Sequence, residues 1–346
     1  MEPNNLSSQI AALPKAELHL HLEGAVAPET VIILAARHGA SLTPEAVATR
    51  FSYSNFNGFL DAFKWITSFL QTPEDFSLAS HRLMGELIRQ KVVYAEITLS
   101  VGVMLWRKLN VEKIFAALRE TADRAAERGL QICWIFDATR QFGPAAAMEV
   151  ATWAARLQIG GVVAFGMGGD ELSVPARDFL AAYQFARAQG LHLVAHAGEV
   201  GGPSSVREVV EVLGAERVGH GIAAALDPAL ADWLVARRIP LEVCPTSNLR
   251  TGALAGQLGK SEVTMKDHPL HTLFDRGVRV TLSTDDPAMF QTDLLAEYRH
   301  AVSLGFTPAE IVRLAENSFQ AAFLPPEEKR PLLEMFQAEV KSLSLV

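Results

Sequence analysis

The chain has 346 residues, 49% hydrophobic and 20% charged, which are ordinary globular proportions with enough apolar mass for a sizeable core. A net charge of −8 with no run of Lys and Arg excludes an electrostatic face for nucleic acid or anionic membranes. No apolar run approaches the ~18 residues of a membrane helix, and two cysteines make no disulfide framework. Residues 1–8 carry neither a basic start nor an apolar core, so the expectation is a cytoplasmic protein without a signal peptide.

Residues 16–24 read Ala-Glu-Leu-His-Leu-His-Leu-Glu-Gly. Side chains alternate along a strand, so His19, His21 and Glu23 share one face and Leu18, Leu20 and Leu22 the other. A half-exposed strand with incidental histidines alternates in the same way, so the rest of the chain has to decide. Residues 28–39, with Pro near the start and Gly after the end, form a helix. Three further helical patterns fill 41–90. One of them, 56–70, is unusually aromatic, with Phe59, Phe63 and Ile66 at helical spacing. Core packing accounts for that spacing, and so does a hydrophobic lid placed just after the first strand.

From residue 91 a rhythm sets in. Apolar segments recur at 92–98, 130–136, 161–166, 191–196, 217–220, 239–244 and 277–283, separated by helical stretches such as 111–128, 144–157, 175–189, 204–213 and 227–237. With the first strand these make eight strands alternating with helices, which implies a closed parallel (β/α)8 TIM barrel. An open doubly-wound sheet would carry a glycine-rich phosphate turn, and no G-x-G-x-x-G or Walker pattern occurs. The fold expected is one α/β domain over 1–346. It carries a helical insertion at about 41–90 and a helical C-terminal extension from 307, interrupted at Pro325-Pro326.

In such a barrel the carboxyl ends of the strands form the active face. His19 and His21 end strand one, His196-Ala-Gly-Glu199 strand five, Gly219-His-Gly221 strand six, and Thr284-Asp-Asp-Pro287 strand eight. His19, His21, His196 and Asp285 together are a fitting donor set for one Zn²⁺, with a position left for water. Alone, a strand histidine is a satisfied core residue and Asp-Asp-Pro a turn; their gathering at one end of different strands carries the metal reading. Bound zinc brings the pKa of water to about 7. Glu199 is then placed to shuttle a proton, while His220 and Asp285 orient or deprotonate the attacking water. Two adjacent carboxylates push one pKa up, so Asp286 is expected to hold a proton it can donate. His192, at the other end of strand five, is left out.

HLHLEGA, GGDE, HAGE, GHG, CPTSN, STDDP and NSF, in this order from about residue 12 to about 330, together resemble adenosine deaminase and its relatives in the amidohydrolase superfamily. The resemblance implies hydrolytic deamination of a 6-aminopurine: water adds at C6, a tetrahedral intermediate forms and ammonia leaves. It implies His19, His21, His196 and Asp285 as zinc ligands, Glu199 as the donor to purine N1, His220 beside the water and Asp286 on N7. It also places the Gly169 N–H near N3, Phe59, Leu60 and Phe63 in an apolar lid, and Ser247 behind the ligands. Deaminases of the other zinc fold use H-x-E together with P-C-x-x-C, and this chain has no P-C-x-x-C, its two cysteines lying 111 positions apart. Binuclear relatives carry a lysine at the end of strand four, and 161–171 has none, so one ion is expected.

Glu23 stands where adenosine deaminases usually have an Asp that meets the ribose 5′-hydroxyl, and Gly166 replaces an aspartate on strand four. Strand two ends Leu-Ser-Val-Gly102 rather than in Ser-Pro. Adenine deaminases share HLEG but end strand four in Ser-Ser-Glu. HLEG with GGDE is most similar to the aminodeoxyfutalosine deaminases, whose substrate is an adenosine with a ketone-linked benzoate at the 5′ position. Arg140, just past strand three, is a candidate partner for that carboxylate or else a surface ion pair. The expected order is aminodeoxyfutalosine, then adenosine, then adenine or an N6-substituted relative. A non-catalytic purine-binding barrel is the reading from a different class. The sequence gives no oligomeric state.

Overall fold

The structure, a computed structural model, describes residues 3–53 and 56–345. Eight strands form one parallel sheet in sequence order: β1 (Lys15–His21), β2 (Val92–Leu99), β3 (Gln131–Thr139), β4 (Val162–Gly168), β5 (His192–Ala197), β6 (Arg217–His220), β7 (Leu241–Val243) and β8 (Val280–Leu282). A parallel bridge between Leu20 and Asp285 brings the last strand back to the first. This is the expected (β/α)8 barrel, with helices Pro308–Ala321 and Pro326–Ser342 as the C-terminal extension. The break between them falls at Pro325-Pro326, where a proline suits the first helical turn and not the interior.

Strand β1 shows why alternation did not mean exposure. All seven of its residues are buried, because the leucine face packs into the apolar shell under the helices while Glu17, His19 and His21 point into the barrel. The barrel's lower interior is charged and fully engaged. The Arg217 guanidinium lies between the Glu96 and Glu242 carboxylates and also donates to the Ala321 carbonyl at 2.9 Å. Tyr94 Oη donates to Glu96 at 2.7 Å, and the Phe323 N–H donates to the same carboxylate. The C-terminal extension thus seals the floor through its backbone.

Boundaries differ from the sequence reading in three places that matter. Strand β1 ends at His21, and Glu23 opens a short 3₁₀ turn, Glu23–Ala25, instead of continuing the strand. Strand β3 runs on to Thr139, which puts Asp137 inside it. Strands β7 and β8 are only three residues each, since the chain leaves the sheet early to build the rim. The helices Pro44–Arg50, Phe56–Thr67 and Pro73–Arg89 follow β1. The aromatic one does both jobs offered for it: Phe59 and Ile66 join the core, while Phe59, Leu60 and Phe63 line the cavity beneath.

Candidate active site

A cavity of about 680 Å³ opens at the carboxyl ends of the strands. Its inner end is made by His21, His196, Glu199, His220, Asp285 and Asp286. Donor atoms of His19, His196, His220 and Asp285 all lie within 4.8 Å of one another. His21 Nε2 is 3.4 Å from Asp285 Oδ1, so five side chains converge on one point. His220 is the one that the sequence-derived ligand set omits.

The strands aim these groups, and a partner behind each one sets its orientation. His19 Nδ1–H donates to Glu242 at 2.8 Å, and His196 Nδ1–H donates to the Met167 carbonyl at 3.1 Å. Both partners are pure acceptors, so in both rings Nδ1 carries a proton and Nε2 is the nitrogen turned toward the centre. Ser247 Oγ donates to Asp285 Oδ2 at 2.7 Å, placing Ser247 behind the ligands as expected. Asp285 and His220 both adopt positive φ, 64° and 61°, a conformation non-glycine residues rarely hold without structural or functional need.

A positive ion fits this cluster. His19 Nε2 is buried with no hydrogen-bond partner in the protein. Burial keeps His21, His196 and His220 neutral, with His21 and His220 pushed down to about 4. Burial also opposes charge on His19, yet the Asp285 and Glu242 carboxylates override it and raise its pKa to about 10. Neutral imidazoles around a carboxylate that demands a cation are the chemistry of a divalent metal site. Asp285 is held far below the usual carboxylate range: burial works against its charge, and the surrounding histidines outweigh it.

Two other carboxyls are pushed the opposite way. Glu199 rises to about 8, first through burial and then through the Asp285 and Glu171 charges. Asp286 rises well above the ordinary range through burial and its neighbour Asp285. The Glu199-bearing loop is held by Glu171, which accepts from Gly198 N–H (2.6 Å), Val200 N–H (2.9 Å), Gly201 N–H (2.8 Å) and Ser205 Oγ (2.6 Å). The GGDE glutamate therefore shapes the HAGE loop.

Glycines make room at two points. A Cβ on Gly24 would lie 1.6 Å from Asp286 Oδ1, so the backbone after Glu23 passes flush against that carboxyl. Gly169 sits at φ +91° on the cavity wall, where a Cβ would strike Gln141 Oε1 at 2.4 Å. Glu23 is buried; its Oε1 accepts from Ser100 N–H at 3.0 Å, its Oε2 has no partner, and burial raises its pKa to about 7.

Two residues change the sequence picture. Arg140 is buried outside the cavity wall, where its guanidinium donates to the carbonyls of His196 (2.9 Å) and Val174 (3.4 Å). It is therefore no surface ion pair and does not line the cavity, and it holds the backbone of one histidine of the cluster. Asp137, which the sequence reading passed over, lines the cavity and is raised to about 8 by burial. It pairs across the sheet with Gly166, where a Cβ would lie 2.9 Å from Asp137 Oδ1. A carboxyl on β3 thus stands beside the glycine position of β4.

Against known proteins, residues 14–339 match the family model described as adenosine deaminase. The chain belongs to that family. It is a hydrolytic deaminase acting on C–N bonds. It is 41% identical to the aminodeoxyfutalosine deaminase of Streptomyces coelicolor over 93% of this chain and 83% of that one. It is 34% identical to the adenine deaminase of Rhodopseudomonas palustris over 95% of each chain. The crystal structure of adenine deaminase from Arthrobacter aurescens superposes with a TM-score of 0.88 at 30% identity, covering 95% of this chain and 99% of that one.

Proposed function

We propose that the protein deaminates a 6-aminopurine nucleoside, with aminodeoxyfutalosine ahead of adenosine. The observation that carries the reading is a pair of buried carboxyls, Glu199 and Asp286, that flank the histidine–aspartate cluster on the cavity floor and whose burial favours the protonated form. A purine ring offers acceptors at N1 and N7, and neutral carboxylic acids are the donors that match them.

His19, His21, His196 and Asp285 would hold one Zn²⁺, leaving His220 for the water. Zinc bound there supplies Lewis acidity that makes water acidic near neutral pH. Glu199 gives its proton to N1 as water adds to C6, which drains charge from the ring. His220 orients the water by a hydrogen bond and Asp285 accepts its proton. Asp286 donates to N7, the Gly169 N–H faces N3, and Phe59 and Phe63 cover the purine. As the tetrahedral adduct collapses, the proton taken by Asp285 passes to the amino group, the C6–N bond breaks to release ammonia, and the hydroxyl proton returns to Glu199, leaving oxygen at C6 and the proton on N1.

The preference for an extended nucleoside is supported by the cavity's outer end. Trp106 stacks on Phe142 there, ring centroids 5.9 Å apart and 20° between planes, and Lys64 and Arg107 border the same wall. The Arg107 guanidinium is occupied by the carbonyls of Thr67, Ser68 and Leu70, which leaves Lys64, exposed and held only by Asp61 at 3.7 Å, the less engaged cation. A flat aromatic carboxylate suits such an end, with Asp137 on the wall beside the sugar and Glu23 behind that wall, holding the Ser100 N–H. Similarity to aminodeoxyfutalosine deaminase adds weight. Loss of adenine absorbance should be followed with aminodeoxyfutalosine, adenosine and adenine in parallel. Fastest turnover of the first supports the proposal, and free adenine outpacing both nucleosides overturns it. Zinc binding without turnover of any 6-aminopurine would favour a binding module.

A further inference from the structure

His220 is backed by a chain of hydrogen bonds that begins at the backbone and has a fixed direction. The Leu270 N–H donates to His268 Nδ1 at 3.1 Å. A backbone amide has only a proton to give, so Nδ1 of His268 is the bare nitrogen and the ring proton sits on Nε2. That Nε2 lies 3.3 Å from Asn248 Oδ1 and donates to it. With its oxygen on His268, the Asn248 amide turns its Nδ2–H toward His220 Nδ1, 3.1 Å away. His220 Nδ1 must then accept, and the proton of that ring lies on Nε2, facing Glu199 Oε2 at 3.6 Å and Asp285 Oδ2 at 3.9 Å.

Each link is shielded. Asn248 is fully buried, and His268 is 4% exposed. Burial, with a smaller contribution from His300, pushes the His268 pKa down to about 3. The ring keeps one donor and one acceptor at any working pH, so the chain cannot reverse. The two elements that supply it are otherwise unrelated: Asn248 comes from the turn of helix after β7, and His268 from the loop before the helix Leu270–Asp275.

We propose that Asn248 and His268 are positioning residues that hold His220 as an Nε2–H donor. His220 is thereby kept from ligating the metal, despite lying within the donor cluster, and kept from acting as the base. It offers a hydrogen bond to the oxygen of the attacking water, and the proton of that water goes to Asp285. This rests on the deaminase reading of the site, but its first test needs no turnover.

Protein labelled with ¹⁵N in histidine, with and without zinc, should show His220 with a bare Nδ1 and a protonated Nε2 in two-bond ¹H–¹⁵N correlation spectra. Asn248→Asp turns the amide donor into an acceptor and should exchange the two nitrogens. In that variant kcat should fall by about 100-fold, with KM changed less than about threefold and zinc content kept, the scale of losses seen when an orienting partner is removed. His268→Leu, which frees the amide to turn, should cost about tenfold. His268→Gln keeps an N–H for Asn248 Oδ1 and should recover most of that loss, a rescue that simple packing would not produce. If Asn248→Asp does not fold, the His268→Leu and His268→Gln pair carries the same test. A wild-type ring protonated on Nδ1 overturns the proposal, as does a kcat unaffected by either Asn248→Asp or His268→Leu. Failure of the deaminase reading would leave the ring spectra as expected with no substrate turned over.

Discussion

The two ends of the barrel interior carry similar residues to opposite purpose. At the floor, Arg217, Glu96, Glu242, Tyr94 and the backbone of 321–323 use their polar groups on one another. At the rim, His19 Nε2, Glu23 Oε2 and Asp286 Oδ1 are just as deeply buried and have no protein partner. Burying polar groups is costly unless they are paired, so the gathering of unpaired atoms around one cluster at the rim marks where a ligand would complete them. Glu242 belongs to both, with one oxygen on Arg217 and the other on His19. The floor thereby sets the tautomer and aim of a rim histidine.

Breaking each end should give separable phenotypes. At the rim, Asp285→Ala should lower kcat/KM by about 10⁴-fold or more and abolish retention of a divalent metal, read by metal analysis, while the melting temperature of the metal-free protein stays near wild type. Glu199→Gln should lower kcat by about 10²–10⁴-fold with metal content kept, because the amide cannot deliver a proton. At the floor, Arg217→Met should leave two carboxylates facing each other without a cation and cost about 3–5 kcal/mol in urea unfolding. A floor variant as stable as wild type would erase the contrast between scaffold and site.

The smallest effect is in pH. Burial raises the Glu199 pKa to about 8, so the proton it would donate in the proposed reaction is present below that value and lost above it. The ratio kcat/KM should be flat toward neutral pH and decline on the alkaline side of about 8, tenfold per unit in the limit. Glu199→Gln should remove that limb.

How far the sequence could be read follows the same division. The barrel was legible because eight alternating units leave a strong period, and the rim because histidine and aspartate are rare at strand ends. Arg140 was misplaced, since position just past a strand says nothing about which carbonyls a long side chain reaches. Asp137 was missed because the apolar run that marks the strand stops at Phe136, while the strand itself continues to Thr139. Its place beside Gly166 is visible only across the β3–β4 pairing. The His268–Asn248–His220 chain joins residues 20 and 28 positions apart, and sequence has no signal for a hydrogen bond's direction.

The bridge from Leu20 to Asp285 has a mechanical side. His21 N–H donates to the Asp285 carbonyl at 2.8 Å and Asp285 N–H to the His19 carbonyl at 3.0 Å, so the seam of the barrel runs through the ligand residues themselves. An ion shared by His19 and Asp285 would act as a rivet between the first strand and the last. Clamping a loop that long removes much of the freedom of the unfolded chain. Stripping the metal should therefore do more than silence the enzyme: amide exchange should accelerate first along this one join, while the floor stays protected.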